Sequence, residues 1–183
     1  DITDLLIADY LSHRGFVAQS QSETWTIGRL LSWTTNHLRD HGSESARLDA
    51  EVLLAHALGC GRIALYTRYE EVAADAVREV FRDLVRRRSA GTPVAYLVGH
   101  KEFFSLDFEV GPAVLIPRPD SEFVVLEFLR LAKPMAHVRA IDLGTGSGNL
   151  VIAAAHQHTG ARFIAIDSSA ATLEVARRNA ECH

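Results

Sequence analysis

At 183 residues the chain is long enough for one domain or two small ones, and 48% hydrophobic with 23% charged residues is the composition of a soluble, core-forming protein. Its net charge of −4 offers no overall pull toward nucleic acid. No apolar run approaches the roughly 18 residues of a membrane span, and no signal-peptide pattern opens the sequence, so a cytoplasmic protein is expected.

Residues 1–17 carry a short helical pattern through Ile2, Leu5, Leu6 and Tyr10 that Gly15 breaks, and the polar residues 19–23 read as a linker. Three strong helical patterns follow. Ile27, Leu30, Leu31, Thr34 and Leu38 share one face, which stops at Gly42. Ser45 is placed to cap a second helix that presents Leu48, Val52, Leu53 and Leu58 before Gly59. A third spans about residues 75–88, with Val77, Val80, Phe81, Leu84 and Val85 inward. The basic run Arg86-Arg87-Arg88 ends it, where cations suit the helix macrodipole, and reads as a solvated helix end. The short loops between these helices imply a helical bundle. Trp25 and Trp33 read as core or interface anchors, since no basic groove accompanies them.

The texture changes at Gly91-Thr92-Pro93. Phe104, Leu106, Phe108 and Val110 alternate with Ser105, Asp107 and Glu109, which predicts extended chain with a hairpin around Ser105 and Leu106. Gly111-Pro112 closes it. Leu115-Ile116-Pro117-Arg118-Pro119 then leads into a helix over about residues 121–131, and Pro134 ends that region. From Val138 the order is strand, glycine turn, helix (150–156), strand (162–167) and helix (170–180). The predicted fold is α/β: an N-terminal helical bundle, a β-hairpin linker, then the start of a Rossmann-like domain.

The two cysteines, Cys60 and Cys182, lie far apart without C-x-x-C spacing and read as thiols in a reducing compartment. His156 and His158 sit two apart on a predicted helix and so do not share a face; no metal site is expected.

The segment Ala140-Ile141-Asp142-Leu143-Gly144-Thr145-Gly146-Ser147-Gly148, with Phe163-Ile164-Ala165-Ile166-Asp167 after it, is the part that carries chemistry. A strand ends in an acid, a glycine turn leads into a helix, and a second strand ends in another acid. That layout builds a nucleotide-type cofactor site at the carboxyl edge of a parallel sheet. A dinucleotide fingerprint, G-x-G-x-x-G, would need its third glycine at Asn149; here the third glycine is Gly148, giving D-x-G-x-G-x-G. A carboxylate just before the turn suits a cationic sulfonium ligand and disfavours a pyrophosphate. S-adenosylmethionine is therefore the expected cofactor. A nicotinamide or flavin nucleotide, or a glycine turn that only joins strand to helix, are the competing readings. Asp167 stands where a carboxylate can accept hydrogen bonds from ribose hydroxyls. Arg118, held between two prolines, is a candidate to grip a carboxylate, and His100 is a weaker candidate for a general base.

Gly91-Thr92-Pro93-Val94-Ala95-Tyr96-Leu97-Val98-Gly99, Glu102-Phe103-Phe104, Leu115-Ile116-Pro117-Arg118-Pro119-Asp120-Ser121-Glu122 and Asp142-Leu143-Gly144-Thr145-Gly146-Ser147-Gly148 follow one another at a spacing that closely resembles the HemK-type protein-(glutamine-N5) methyltransferases. The resemblance covers about residues 24–183. It implies a class I methyltransferase that moves a methyl group from S-adenosylmethionine to the side-chain amide nitrogen of glutamine in the Gly-Gly-Gln motif of peptide chain release factors. It also implies cofactor contacts from Asp142, Gly144, Thr145, Gly146, Ser147, Gly148, Asp167 and Arg118. The implied divisions are an unassigned extension (1–23), a helical release-factor-binding domain (24–92), an extended or hairpin linker (93–119) and the N-terminal part of the methyltransferase domain (120–183). The family's Asn-Pro-Pro-Tyr signature, which orients the acceptor amide, does not occur in these residues, so no catalytic residue is assigned and the chain reads as an inactive fragment of a longer protein.

Two other classes stand beside the protein methyltransferase. A nucleic-acid N-methyltransferase uses the same fold and similar acceptor motifs, but the acidic net charge disfavours it. A non-catalytic fragment could still dock a partner through its helical domain. Fold alone does not separate the three.

Overall fold

In the computed structural model, which describes residues 24–135 and 137–183, the first described helix begins after Thr26, whose hydroxyl accepts a hydrogen bond from the Arg29 amide at 3.2 Å. The helical pattern expected over residues 1–17 and the linker over 19–23 lie outside the described residues. Helix α1 (Ile27–Asp40) buries Ile27, Leu30, Leu31, Thr34 and Leu38, the expected face. Helix α2 (Ala46–Leu58) ends at Gly59, whose φ of +62° is the left-handed cap that glycine adopts without strain. Helix α3 (Arg62–Thr67) is a short turn that inserts Leu65. Helix α4 (Asp75–Ser89) closes this region with Phe81, Leu84 and Val85, and α5 (Val94–Val98) adds Leu97. These side chains form one continuous apolar core.

Three expectations are corrected here. Ser45 precedes α2 but does not cap it; its hydroxyl donates to the Asp49 carboxylate at 2.8 Å. Leu48 and Val80 are exposed, while Ala50 and Leu54 are buried. Helix α2 is apolar on most of its circumference, so its sequence period is weak, and the small Ala46 and Ala50 pack inward together with Leu53 and Leu54. Arg88 is not a solvated helix end: it donates to the buried Asp49 carboxylate at 2.8 Å, whereas Arg86 stays exposed and pairs with Asp83. A carboxylate taken from water needs donors, and Asp49 draws them from Arg88, Ser43 and Ser45.

Strands β1 (His100–Phe103) and β2 (Leu106–Glu109) form an antiparallel hairpin with His100 opposite Glu109 and Phe103 opposite Leu106. Its turn is Phe104-Ser105, one residue earlier than expected, and both residues have positive φ, +52° and +60°. That is the backbone of the tight hairpin turns whose hand matches strand twist. Glu122 supports it by accepting from the Phe104 amide at 3.0 Å. Phe103 and Phe108 pack edge to face at 6.2 Å and point into a second core.

A 3-10 turn (Pro119–Ser121) leads into α6 (Glu122–Ala132). Strand β3 (Val138–Leu143), α7 (Asn149–Gln157), β4 (Ala161–Ile166) and α8 (Ala170–Cys182) follow. The strands pair in parallel, Val138 with Ala161 through Leu143 with Ile166. The second core joins Phe103 and Phe108 of the hairpin, Val125 of α6, and Val151 to Ala154 of α7. A third, small cluster sets Val110 and Val114 against Val175 of α8. Alternate residues of the two parallel strands, Ile141, Leu143, Ile164 and Ile166, remain 61, 76, 50 and 44% exposed, so one face of that sheet is bare.

Candidate functional site

Parallel pairing brings the carboxyl ends of β3 and β4 together, and with them Asp142 and Asp167. Asp142 lies one residue before the end of β3, and Asp167 directly follows β4. Between them the chain makes the glycine turn. Gly144, Gly146 and Gly148 have φ of +78°, +58° and +80°, the left-handed region that side chains resist. The Gly144 and Thr145 amides both donate to the Ile166 carbonyl, at 2.8 and 3.0 Å, which seals the turn against the end of β4.

The three glycines serve different purposes. A β-carbon on Gly148 would lie 2.8 Å from Ile152 Cδ1 and 3.4 Å from Ala176 Cβ, so Gly148 permits α7 and α8 to close on the turn. At Gly144 and Gly146 a β-carbon would meet nothing within 4 Å. These two present bare backbone to open space, the surface a ligand can approach.

The carboxylates brace the turn. Asp142 accepts from the Thr145 hydroxyl at 2.7 Å. Asp167 accepts from the Ser169 amide at 3.0 Å and the Gly146 amide at 3.2 Å. Backbone donors from Ser169, Gly146 and Ser168 hold the Asp167 carboxyl below the ordinary carboxylate range, against a smaller opposing effect of burial. It is therefore an anion at neutral pH, with lone pairs left to accept from hydroxyls.

Of the residues expected at the site, the structure brings together Asp142, Gly144, Thr145, Gly146, Ser147, Gly148 and Asp167. Thr145 and Ser147 face inward, however. Both are buried; Thr145 bonds Asp142, and the Ser147 hydroxyl lies 3.2 Å from Asn149 Oδ1. What they can offer a ligand is backbone. Arg118 is exposed just before the 3-10 turn and makes no hydrogen bond or ion pair to the glycine turn or to Asp167. His100 is apart from the turn as well, paired with Asp107 at 2.9 Å on the exposed face of the hairpin.

Asn179 is the residue that sequence reasoning missed. Almost fully buried, it donates to the Ser147 carbonyl at 2.8 Å and the Glu109 carbonyl at 3.0 Å, and accepts from the Glu109 amide at 2.7 Å. It fastens the glycine turn to β2. The signal was present: Thr172, Val175, Ala176 and Asn179 form one helical stripe, in which a large amide stands at a core position. Thr172, on the same stripe, donates to the Ala113 carbonyl at 2.8 Å and so fixes the segment leading to Arg118.

Two carboxylates flanking an open glycine backbone match a ligand with hydroxyls and positive charge better than one with a diphosphate. Among the described residues no cluster of histidine, cysteine or acid side chains could hold a metal ion, and no helix is long and apolar enough to cross a membrane.

Two segments of the chain are similar to known protein domains. Residues 29–99 match the PrmC N-terminal domain, and residues 135–183 match a methyltransferase domain. A release factor glutamine methyltransferase of Rhodopirellula baltica is 45% identical over 170 residues, covering 90% of this chain and 57% of the relative. One from Geobacter sulfurreducens is 42% identical over 161 residues, covering 88% and 56%, and one from Burkholderia pseudomallei is 47% identical over 133, covering 73% and 47%. The chain thus spans about half the length of the curated relatives it matches. With a PrmC-type helical domain ahead of the first strands of a methyltransferase domain, the chain is similar to the release factor glutamine methyltransferases over about half of their length.

Proposed function

We propose that this chain carries the donor-binding half, and the partner-docking domain, of a cytoplasmic enzyme that methylates the glutamine side-chain amide nitrogen in the Gly-Gly-Gln motif of peptide chain release factors, a step in translation termination. S-adenosylmethionine, when bound, supplies the electrophilic methyl carbon. The observation that carries the reading is the open backbone of Gly144 and Gly146 between two carboxylates. In this reading Asp167 accepts from the ribose hydroxyls and Asp142 faces the ammonium end of the donor. Thr145, Ser147 and Gly148 give the turn its shape, and Arg118 takes a carboxylate. Residues 24–92 dock the release factor, 93–119 connect, and 120–183 hold the donor.

Replacing Asp167 with alanine removes charge-assisted hydrogen bonds to the ribose and is expected to weaken donor binding about ten- to a hundredfold. Calorimetric titration measures it. An unchanged affinity overturns the site, and tighter binding of a nicotinamide dinucleotide overturns the cofactor class. An amide nitrogen is a poor nucleophile because its lone pair is delocalised, and its rate depends on being positioned. Since no Asn-Pro-Pro-Tyr occurs in these 183 residues, this length alone is expected to give no turnover in a radiolabelled-donor assay with a Gly-Gly-Gln factor. Clear methylation would place the acceptor chemistry at Arg118 or His100.

A further inference from the structure

The helical region holds a cavity of about 250 Å³ between α1 and α4, well away in the sequence from the glycine turn. Its apolar walls are Trp25, Leu30, Trp33, Phe81 and Val85. The aromatic wall is already packed: Trp25 meets Trp33 edge-on at 6.4 Å, and His37 stacks on Trp33 at 4.8 Å. The His37 ring is fixed in turn by Ser89 at 3.1 Å. A ligand entering here meets a formed surface.

The polar groups on this cavity are out of balance. Thr34 is 0% exposed, and among the described residues its hydroxyl has no hydrogen-bond partner. The inner N–H of Arg78, its Nε, is buried and also without a partner among the described residues, although the outer end of that guanidinium pairs with Asp75. Arg82 lines the cavity half-buried, and no carboxylate among the described residues pairs with it. Buried donors without acceptors are rare in native proteins. A lone water would neither cover the apolar walls nor neutralise Arg82. Apolar walls with a few convergent donors are the make-up of a small-molecule site, and the excess here is of donors and positive charge.

We propose that this cavity binds a small carboxylate with an aromatic or branched aliphatic body. The carboxylate accepts from Arg82 and from Arg78 Nε, Thr34 supplies a further hydrogen bond, and the body packs against Trp25, Trp33 and Phe81. The site stands on the helical region alone and does not depend on the methyl-donor reading.

The test uses the chain's own reporters. The sequence contains two tryptophans, and both line the cavity. The full 183-residue chain is titrated with 3-phenylpropionate and, in parallel, with 3-phenylpropanamide, which has the same shape without the charge. A saturable change in tryptophan fluorescence is expected with the acid, at least about tenfold stronger than with the amide. Arg82→Gln is expected to bring the acid down to the level of the amide, and Arg82→Lys to restore part of the difference, both with unchanged far-ultraviolet circular dichroism. The acid–amide comparison needs no variant, so it stands even if a substitution disturbs folding. No saturable response to the acid up to about 10 mM, equal responses to acid and amide, or full acid binding in a folded Arg82→Gln protein would each overturn the proposal.

Discussion

Asp49 and Arg88 tie α2 to the end of α4 through a carboxylate that is almost fully buried. Removing the guanidinium leaves that charge with only the two serine hydroxyls. Arg88→Ala is therefore expected to cost about 3 kcal/mol in denaturant unfolding, whereas Arg86→Ala, two residues away on the exposed face, costs under about 0.5 kcal/mol. Equal effects would mean that the buried pair contributes nothing. His37 sets a different dependence. Burial holds its imidazole below the ordinary range, the neighbouring His41 acts in the same direction, and Asp40 opposes both. The unfolded chain thus binds this proton more readily than the folded one. Its contribution to stability is complete above about pH 6.5 and is lost as pH falls from there through the folded-state value. Melting temperatures at about pH 7.5 and 5.5 are expected to differ more for the natural sequence than for His37→Gln; identical differences would rule out His37 as a source.

At the level of single elements, α8 sets the shape of the glycine turn. Asn179→Leu keeps much of the volume but leaves the Ser147 carbonyl and both backbone groups of Glu109 without their partner. The expected cost is about 3 kcal/mol, together with faster amide exchange at Gly146 and Gly148. Stability loss without any change at the turn would limit Asn179 to the core. This dependence also marks how far the sequence could be read. The glycine turn was legible because positive φ and open space demand glycine at fixed positions. That Thr145 and Ser147 turn inward was not, because side-chain direction in an irregular turn follows from what packs beneath it. The hairpin was legible from alternation through Phe108, yet its turn was placed one residue late. Phe104 adopts φ of +52° without the Asn-Gly pair that usually announces such a turn. Helix α3 escaped notice because only Leu65 is buried, and one buried residue has no period.

At the scale of the molecule, the apolar side chains of the described residues divide into a helical core, a hairpin-and-helix core and a small cluster around Val175. The bare face of the parallel sheet belongs to none of them. Its consequence is colloidal. Four large aliphatic side chains on a two-stranded sheet whose outer edges are unpaired among the described residues form an adhesive surface. In solution residues 1–183 by themselves are expected to bind 8-anilinonaphthalene-1-sulfonate and to sediment as concentration-dependent assemblies. Leu143→Lys combined with Ile166→Lys, both at exposed positions, is expected to abolish both properties while the helical core melts unchanged. A natural-sequence sample that stays monodisperse and dark to the dye at every concentration would show that the face is not adhesive. With an adhesive face, solubility of this stretch of chain is governed by the sheet and not by the helices.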